Sequence, residues 1–311
     1  MRLTQRRVIL VKKETTYKTD PTPTAAANAI WCNTSAVMSP QGEEVSRDVV
    51  RSIWSSQGHI VTGVHNTITV EAELKGSGTA GVAPEFGPLL EACAMPETVV
   101  EDTSVAYKST TVQPDSQESV TIYWYEDGAL HKMIGCRGTV SMSASNNALG
   151  KLTFTLSGLY VAPEDASIVT PTLSSVIPPV CNDMSMTIGS YTPVVTSLAW
   201  DLGNTVAKRP DINADEGIAG FIITDREVTG SVDPEADAFS SFNPWADWKA
   251  GTTAALSATI GSTAGNICAV SCPVIQYKAP SYGDREGIRT YDLPFVARDN
   301  AGAEELVLTF T

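Results

Sequence analysis

Histidine is scarce in this 311-residue sequence: His59, His65 and His131 are the only three, and none stands in an H-x-x-x-H or H-E-x-x-H spacing. A His-rich metal site is therefore not expected. Apolar runs are short too, and none approaches the roughly 18–20 residues that cross a membrane. The opening MRLTQRRVILVKKE holds only Val8 to Val11 as an apolar run, too short for a signal peptide. The expectation is a protein without membrane insertion, made in a reducing cytoplasm. Its six cysteines (Cys32, Cys93, Cys136, Cys181, Cys268 and Cys272) then read as reduced, mostly buried thiols. Basic residues are outnumbered, 21 against 35 acidic, giving a net charge of −14. A protein that grips nucleic acid through its phosphates needs a basic face, so that class is disfavoured. A protein that DNA merely passes by is not excluded.

Catalytic patterns are missing as well. There is no G-x-S-x-G, no Walker loop, and no G-x-G-x-x-G between a strand and a helix. Cys268 and Cys272 lack zinc-knuckle spacing, and on a strand their even separation puts both on one face as packed core thiols. Cys136 near His131 reads as an accident of adjoining strands rather than a nucleophile and base. Carboxylates abound, but nothing singles out a glycosidase pair. The aromatic set Tyr123-Trp124-Tyr125, Trp245 and Trp248 suits core or subunit-interface packing better than a sugar platform. The expectation is no enzyme, no cofactor and no metal.

What the sequence does have is strand periodicity. Ile68, Val70, Ala72 and Leu74 alternate with polar residues, as do Val140, Met142 and Ala144. Leu152–Leu156 and Leu306–Phe310 are further short β runs, and Glu126-Asp127-Gly128, Asn146-Asn147 and Asp299–Gly302 punctuate them as hairpin turns. Helix signals are sparse. Pro84–Met95 carries Phe86, Leu89, Leu90 and Cys93 on one face, and Asn243-Pro244 through Gly251 reads as cap, first turn and stop. The fold class expected is all-β.

The order of signals repeats. An extended segment near 26–34, a polar loop through Gln41–Glu44, a β run from His59 to Gly76, a helix and hairpins make up the first half. Thr196–Gly203, a polar loop from Val206 to Gly217, a β run from Phe221 to Val232, a helix and strands make up the second. Trp31 and Trp200 fall at matching places. This predicts two tandem β domains, each a sandwich or barrel with one short flanking helix: 25–165 and 166–311. A Pro-rich linker lies near 162–180, and residues 1–24 form an extended N-terminal arm. Residues 1–165 carry 13 basic and 18 acidic side chains, and residues 166–311 carry 8 and 17. Arg2, Arg6, Arg7, Lys12 and Lys13, with no acid among residues 1–13, give that stretch of the arm a charge of +5 on two otherwise acidic bodies.

Three stretches carry a resemblance. Leu10–Asn28 (LVKKETTYKTDPTPTAAAN) is similar to the "KKETTYGTDPTPTAANA"-like opening of the tail tube (major tail) proteins of long-tailed, non-contractile bacteriophages, with Lys18 where glycine is usual. Trp200–Gly220, running on into Ile223–Glu235, resembles that family's "LGN…I-T-D/G-R-x-P-T-G-S-x-D-P" stretch, and Lys151–Tyr160 is a third match. The resemblance implies a structural virion protein. Its β-sandwich domains would join their inner sheets around a ring, with a helix outside, and the rings would stack into a conduit for genome ejection. It also implies partners: further copies of the chain, a tape measure protein, tail terminator and tail-tip proteins, and duplex DNA passing through unbound. Two domains per chain would close a trimeric ring with pseudo-sixfold symmetry, and a single domain per chain a hexamer.

On that reading, Glu71 and Glu73 are candidate lumen-facing acids. Glu43, Glu44, Arg209 and Asp211 sit in polar loops, Ser39–Asp48 and Asn204–Gly217, expected to project along the axis to the next ring. Arg6, Arg7, Val8, Ile9 and Leu10 belong to the arm, expected to leave its own domain and dock on a neighbour, chiefly through its apolar run. A different class, a carbohydrate-binding or adhesin-like β-sandwich module, remains the alternative.

Overall fold

The computed structural model describes residues 3–55, 57–300, 302 and 304–311. Strands account for 49% of it and helical turns for 6%, so the chain is all-β. In the first half the order is β1 (Arg7–Lys13), β2 (Val37–Ser46), β3 (His59–Glu73), α1 (Gly87–Ala92), β4 (Glu97–Val100), β5 (Ser104–Lys108), β6 (Val120–Glu126), β7 (Ala129–Ser145) and β8 (Lys151–Asp165). The second half has β9 (Ser185–Ile188), β10 (Ser197–Asp201), β11 (Asn204–Pro210), β12 (Ile218–Arg226), β13 (Thr229–Val232), α2 (Pro244–Ala250), β14 (Thr253–Ile260), β15 (Cys268–Tyr277), β16 (Ser281–Arg285), β17 (Ile288–Ala297) and β18 (Val307–Phe310).

Both helices fall where their signals place them. In α2 the Asn243 side chain accepts from the Ala246 N–H at 3.0 Å, Pro244 opens the first turn, and Gly251 closes it in the left-handed region at φ 66°. In α1, Phe86, Leu89, Leu90 and Cys93 are all fully buried.

Every ladder is antiparallel, and the two halves use the same order. The first half pairs β1–β6–β7–β8–β3–β2. The second pairs β9–β14–β15–β17–β13–β10, with β16 added on β17. Ladder position also corrects one detail of the sequence repeat. β10, which holds the buried Trp200, corresponds to β2, whereas Trp31 lies outside any strand at 44% exposure and donates Nε1–H to the Ser174 carbonyl at 2.7 Å.

The two halves share hydrogen bonds across residue 165. β10 pairs with β7, Trp200 opposite Met142, and β18 pairs with β5, Phe310 opposite Val105. One hydrophobic cluster runs through both halves, with Phe86 6.3 Å from Phe154 and 5.7 Å from Phe310. The Pro-rich segment is anchored rather than free: Ile168, Val169 and Leu173 pack on Leu10, Tyr123, Tyr125 and Leu130.

The two polar stretches read as loops are mostly strand. Val37–Ser46 is β2, and Asn204–Pro210 is β11, each forming a two-stranded ribbon with the strand that follows. β2 is exposed or half-buried throughout, and β11 is so beyond Asn204, the apolar contacts of its ribbon coming from β12, so neither strand carries a period-2 apolar signal.

Candidate functional site

Eight strands lie edge to edge in the order β2–β3–β8–β7–β10–β13–β17–β16. Alternation along each strand sends one set of side chains into the core: Ile68, Val70, Phe154, Leu156, Val140, Met142, Leu198 and Val232 are all at most 2% exposed. The opposite set forms a broad face away from that core. Across one register row it reads Glu73, Lys151, Ser143, Ala199, Ser231 and Pro294; across the next, Glu71, Thr153, Ser141, Asp201 and Thr229. Thr69, Thr155 and Thr139 continue it. Most of these residues end in hydroxyl groups, which meet water without a fixed charge.

Two of the few charges on the face pair with each other. Lys151 Nζ lies 2.9 Å from Glu71 Oε1, and Asn33 donates to the same carboxylate at 2.5 Å. The Lys151 hydrogen bond is the largest effect on Glu71, and its carboxyl is held below the ordinary value. Glu73 sits directly opposite Lys151 in the ladder. Both predicted acids therefore point onto this face, with a lysine between them.

The two ribbons that rise from the sheet differ sharply. The β11–β12 ribbon is packed on the first half, with Ile218 and Phe221 at 3% exposure and Ile223 at 9%. Asn204 donates from Nδ2 to the carbonyls of Cys93 (2.8 Å) and Gly138 (2.9 Å). Arg137, itself 3% exposed, donates to the Phe221 carbonyl at 2.8 Å and to Gln117 at 2.5 Å, and stacks 4.3 Å over the Tyr17 ring. Burial pulls the guanidinium's pKa below its ordinary value. Tyr17 Oη accepts from the Phe221 N–H at 2.8 Å, and Gln117 brackets Ile223 with bonds of 2.7 and 2.9 Å. The β2–β3 ribbon has no such seat: Val45 is 51% exposed, Ile60 54% and Val61 52%.

The arm residues stand elsewhere than expected. Val8 to Val11 do add as a strand, but to β6 of the same chain, with Leu10 opposite Tyr123. Ile9, Leu10 and Val11 are each 1% exposed, with Leu10 packed on Tyr123, Tyr125 and Leu130 and covered by Ile168, Val169 and Leu173 of the same chain, because β6 presents a bare edge flanked by apolar side chains. Arg6 pairs with Asp127 at 2.7 Å, and Arg7 lies 3.8 Å from Glu126 and 5.9 Å over the Trp124 ring. Lys13 reaches Glu91 at 2.7 Å. The expectation that the arm leaves its domain is corrected to an intrachain strand; Arg2 lies outside the described residues.

Of the ribbon residues, Glu43 pairs with Lys208 at 2.6 Å and Glu44 lies 3.5 Å from His59. Arg209 is exposed, and Asp211 accepts from the Asn213 N–H at 2.9 Å. The structure brings Glu43 and Lys208 together across the two ribbons and keeps the arm residues apart from both. The sequence reading missed the node of Glu14, Tyr17, Gln117, Arg137 and Asn204. Arg137 within Ile134-Gly-Cys-Arg-Gly-Thr-Val140, a lone charge inside an apolar strand, was the available signal.

Five of the six cysteines are buried, and Cys268 and Cys272 face the same core as their spacing predicts. Burial pushes both thiols up to about 12, and Cys32 up to about 11. Cys136 is raised as well, the opposite of what a thiolate nucleophile requires. Tyr123, Trp124 and Tyr125 are buried in β6, as packing residues rather than an open platform.

Residues 4–297 match the family model described as phage tail tube protein. No curated protein matches the chain.

Proposed function

The chain belongs to the phage tail tube protein family, and from that premise we propose that it closes into rings whose wall is the eight-stranded sheet, stacked as the genome conduit of a non-contractile tail. It is a structural component of the virion tail. The observation that carries the conduit reading is the hydroxyl-rich face, which spans both halves of the chain without interruption.

A passing duplex carries about one negative charge per 1.7 Å, and a basic wall would bind it through counterion release. A wall of threonine and serine, with Lys151 held by Glu71, offers no such excess of cation. Screening over roughly 8 Å at physiological salt confines any wall charge to close approach. Glu71 and Glu73 then face the lumen, and the same surface would meet the tape measure protein before the genome passes.

The matching ladder orders of the two halves favour three chains per ring. Each half supplies four strands to the wall, so three chains give about 24 strands, and ~4.8 Å spacing gives a ring about 37 Å across between strand axes before tilt. Six chains would double that. Arg209, exposed on the second ribbon, and the half-buried Asp211 at its turn would meet the adjacent ring, while terminator and tail-tip proteins take the two ends of the stack. Assembly would occur in the host cytoplasm.

Electron microscopy of the purified protein tests this reading. Tubes with three chains per ring and the Thr69, Thr139 and Thr155 face lining the bore are the expected result. A monomer that never assembles, or a ring whose bore is lined by another face, overturns it.

A further inference from the structure

The eight-stranded sheet ends in two open edges, β2 and β16. Among the described residues β2 pairs only with β3, and β16 only with β17. Every residue of β2 is exposed or half-buried, and so is every residue of β16, including Tyr282 at 48%. Unpaired edges of this kind are templates for another strand.

The chain already holds a pattern for what fills them. At the seam between its halves, β10 runs antiparallel to the end of β7: Trp200 opposite Met142, Asp201 opposite Ser141, with the Leu202 N–H donating to the Val140 carbonyl at 2.9 Å. Core packing fixes the equivalences. Val140 pairs with Phe154, which packs on Phe86 at the start of α1; Tyr282 pairs with Tyr291, which packs 5.2 Å from Trp245 at the start of α2. Likewise Met38 pairs with Ile68, itself opposite Leu156, and Leu198 pairs with Val232, itself opposite Leu293. So β16 stands where the end of β7 stands, and β2 where β10 stands.

We propose that β2 of one copy joins β16 of the next copy in the ring, antiparallel, with Gln41 opposite Gly283, Pro40 opposite Asp284 and Ser39 opposite Arg285. The inference rests on the ring-forming reading given above and names its subunit seam. The Gly42 N–H then donates to the Tyr282 carbonyl, as Leu202 donates to Val140 within the chain. Pro40 has no N–H, so the ladder carries one bond fewer there, while the Asp284 N–H still reaches the Pro40 carbonyl.

The same equivalence gives the bare ribbon its seat. The β11–β12 ribbon crosses the first half from Cys93, the C-cap of α1, to Gly138. The corresponding path on the second half runs from Gly251, the C-cap of α2, to Pro280, through the exposed Lys278 and Ala279. Trp248, on the last turn of α2, is 45% exposed. Val45, Ile60 and Val61 of the neighbouring copy are the apolar side chains that this path lacks, and the second copy is the occupant because only it carries a ribbon of that kind. Glu43 and Glu44 thus belong to a contact between subunits of one ring.

Cysteines placed at Pro40 and Asp284 test the seam, since opposite positions on antiparallel strands lie about 5.5 Å apart, within disulfide reach. Tubes of the double variant, oxidised with copper–phenanthroline, are expected to give covalent dimers and closed trimers on a denaturing gel. Reductant should return them to monomer, and either single variant should give none. Normal tubes of the double variant that run only as monomer overturn the seam and leave the tube reading standing; wild-type protein that forms no rings removes both. If the double variant does not assemble, hydrogen exchange on the wild type decides. Amides of 38–46 and 281–285 are expected to slow together on assembly, and no slowing in either overturns the seam. For the ribbon, Val45→Glu with Ile60→Glu is expected to keep the monomer's thermal transition and abolish rings; tubes of normal yield from that variant overturn its docking.

Discussion

Arg137 donates to the carbonyl of Phe221 at 2.8 Å, joining β7 of the first half to the second-half ribbon across 84 residues of sequence. Among the described residues no carboxylate lies at salt-bridge distance from this guanidinium; the backbone carbonyls of Gln117, Glu118 and Phe221 and the Tyr17 ring take its place. A buried cation held by carbonyls is costly to disturb, because its removal leaves several acceptors without donors. The contact therefore does more than fill space: it fixes where the second half sits on the first.

Arg137→Leu should lower stability by about 2–4 kcal/mol, the range for stripping donors from buried carbonyls. Arg137→Lys should recover only part, since an ammonium cannot present the planar fork that spans three acceptors. Urea unfolding midpoints of the three proteins check the order. Equal midpoints would show that the ribbon is held by its apolar residues alone.

Converting the hydroxyl face to a basic one should change what the tube does without changing whether it forms. Thr155 and Ser143 are exposed on the sheet face, away from the core, so Thr155→Lys with Ser143→Lys should leave folding and assembly intact. Tubes of this variant should retain duplex DNA at low salt and release it as salt rises, with the steep dependence of phosphate contacts. The wild type should retain none. DNA binding measured at two or three ionic strengths is sufficient.

Much of this architecture was legible in the sequence. The helix at Asn243–Gly251 announced itself through a cap, a proline and a stop glycine, all local chemistry. The alternation at Ile68–Leu74 identified both a core face and the opposite face that holds Glu71 and Glu73. What failed was non-local. β2 and β11 carry no apolar period because neither buries an apolar face of its own, the docking side chains of the second ribbon lying on β12, so polar composition read as loop. The docking of Val8–Val11 on β6 rather than on a neighbour depends on which edge is free, and that is settled by the whole sheet.

Acid should loosen the second half at Asp233. Burial alone would raise this carboxyl, but the Thr196 hydroxyl, the N–H groups of Ser197 (2.7 Å) and Thr196 (2.9 Å) and the Arg285 guanidinium (3.0 Å) together hold it below its ordinary value. A carboxyl depressed in the folded state contributes stability above its unfolded value, about 3.9, and loses it as the pH falls through the folded value. Asp233→Asn should thus cost about 1–3 kcal/mol at pH 7. Thermal melts from pH 7 to pH 3 should show the wild type converging on the variant below about pH 4. A constant gap across that range would mean the hydrogen bonds survive protonation.

Lys18 stands where the opening that this chain resembles has glycine, and the backbone explains the departure's cost. Lys18 has φ 64°, in the left-handed region that glycine enters freely and an L side chain enters at roughly 1 kcal/mol. The turn is set from both sides: the Lys18 N–H donates to Glu14 Oε2 at 2.9 Å, and that buried carboxylate also accepts from Ser119, Thr121 and the Gly135 N–H. The lysine has a partial compensation, because its Nζ donates to the Ala219 carbonyl at 3.0 Å, tying the turn to the second-half ribbon. That bond is exposed, so it contributes little. Lys18→Ala keeps the strained φ and loses the bond, and should be the least stable of the series; Lys18→Gly relieves the strain and should exceed Lys18→Ala by about 1 kcal/mol. Differential scanning calorimetry of the three proteins, with Lys18 itself between or level with glycine, checks the ranking. Alanine melting above glycine would show that the turn's conformation is no burden to an L residue here.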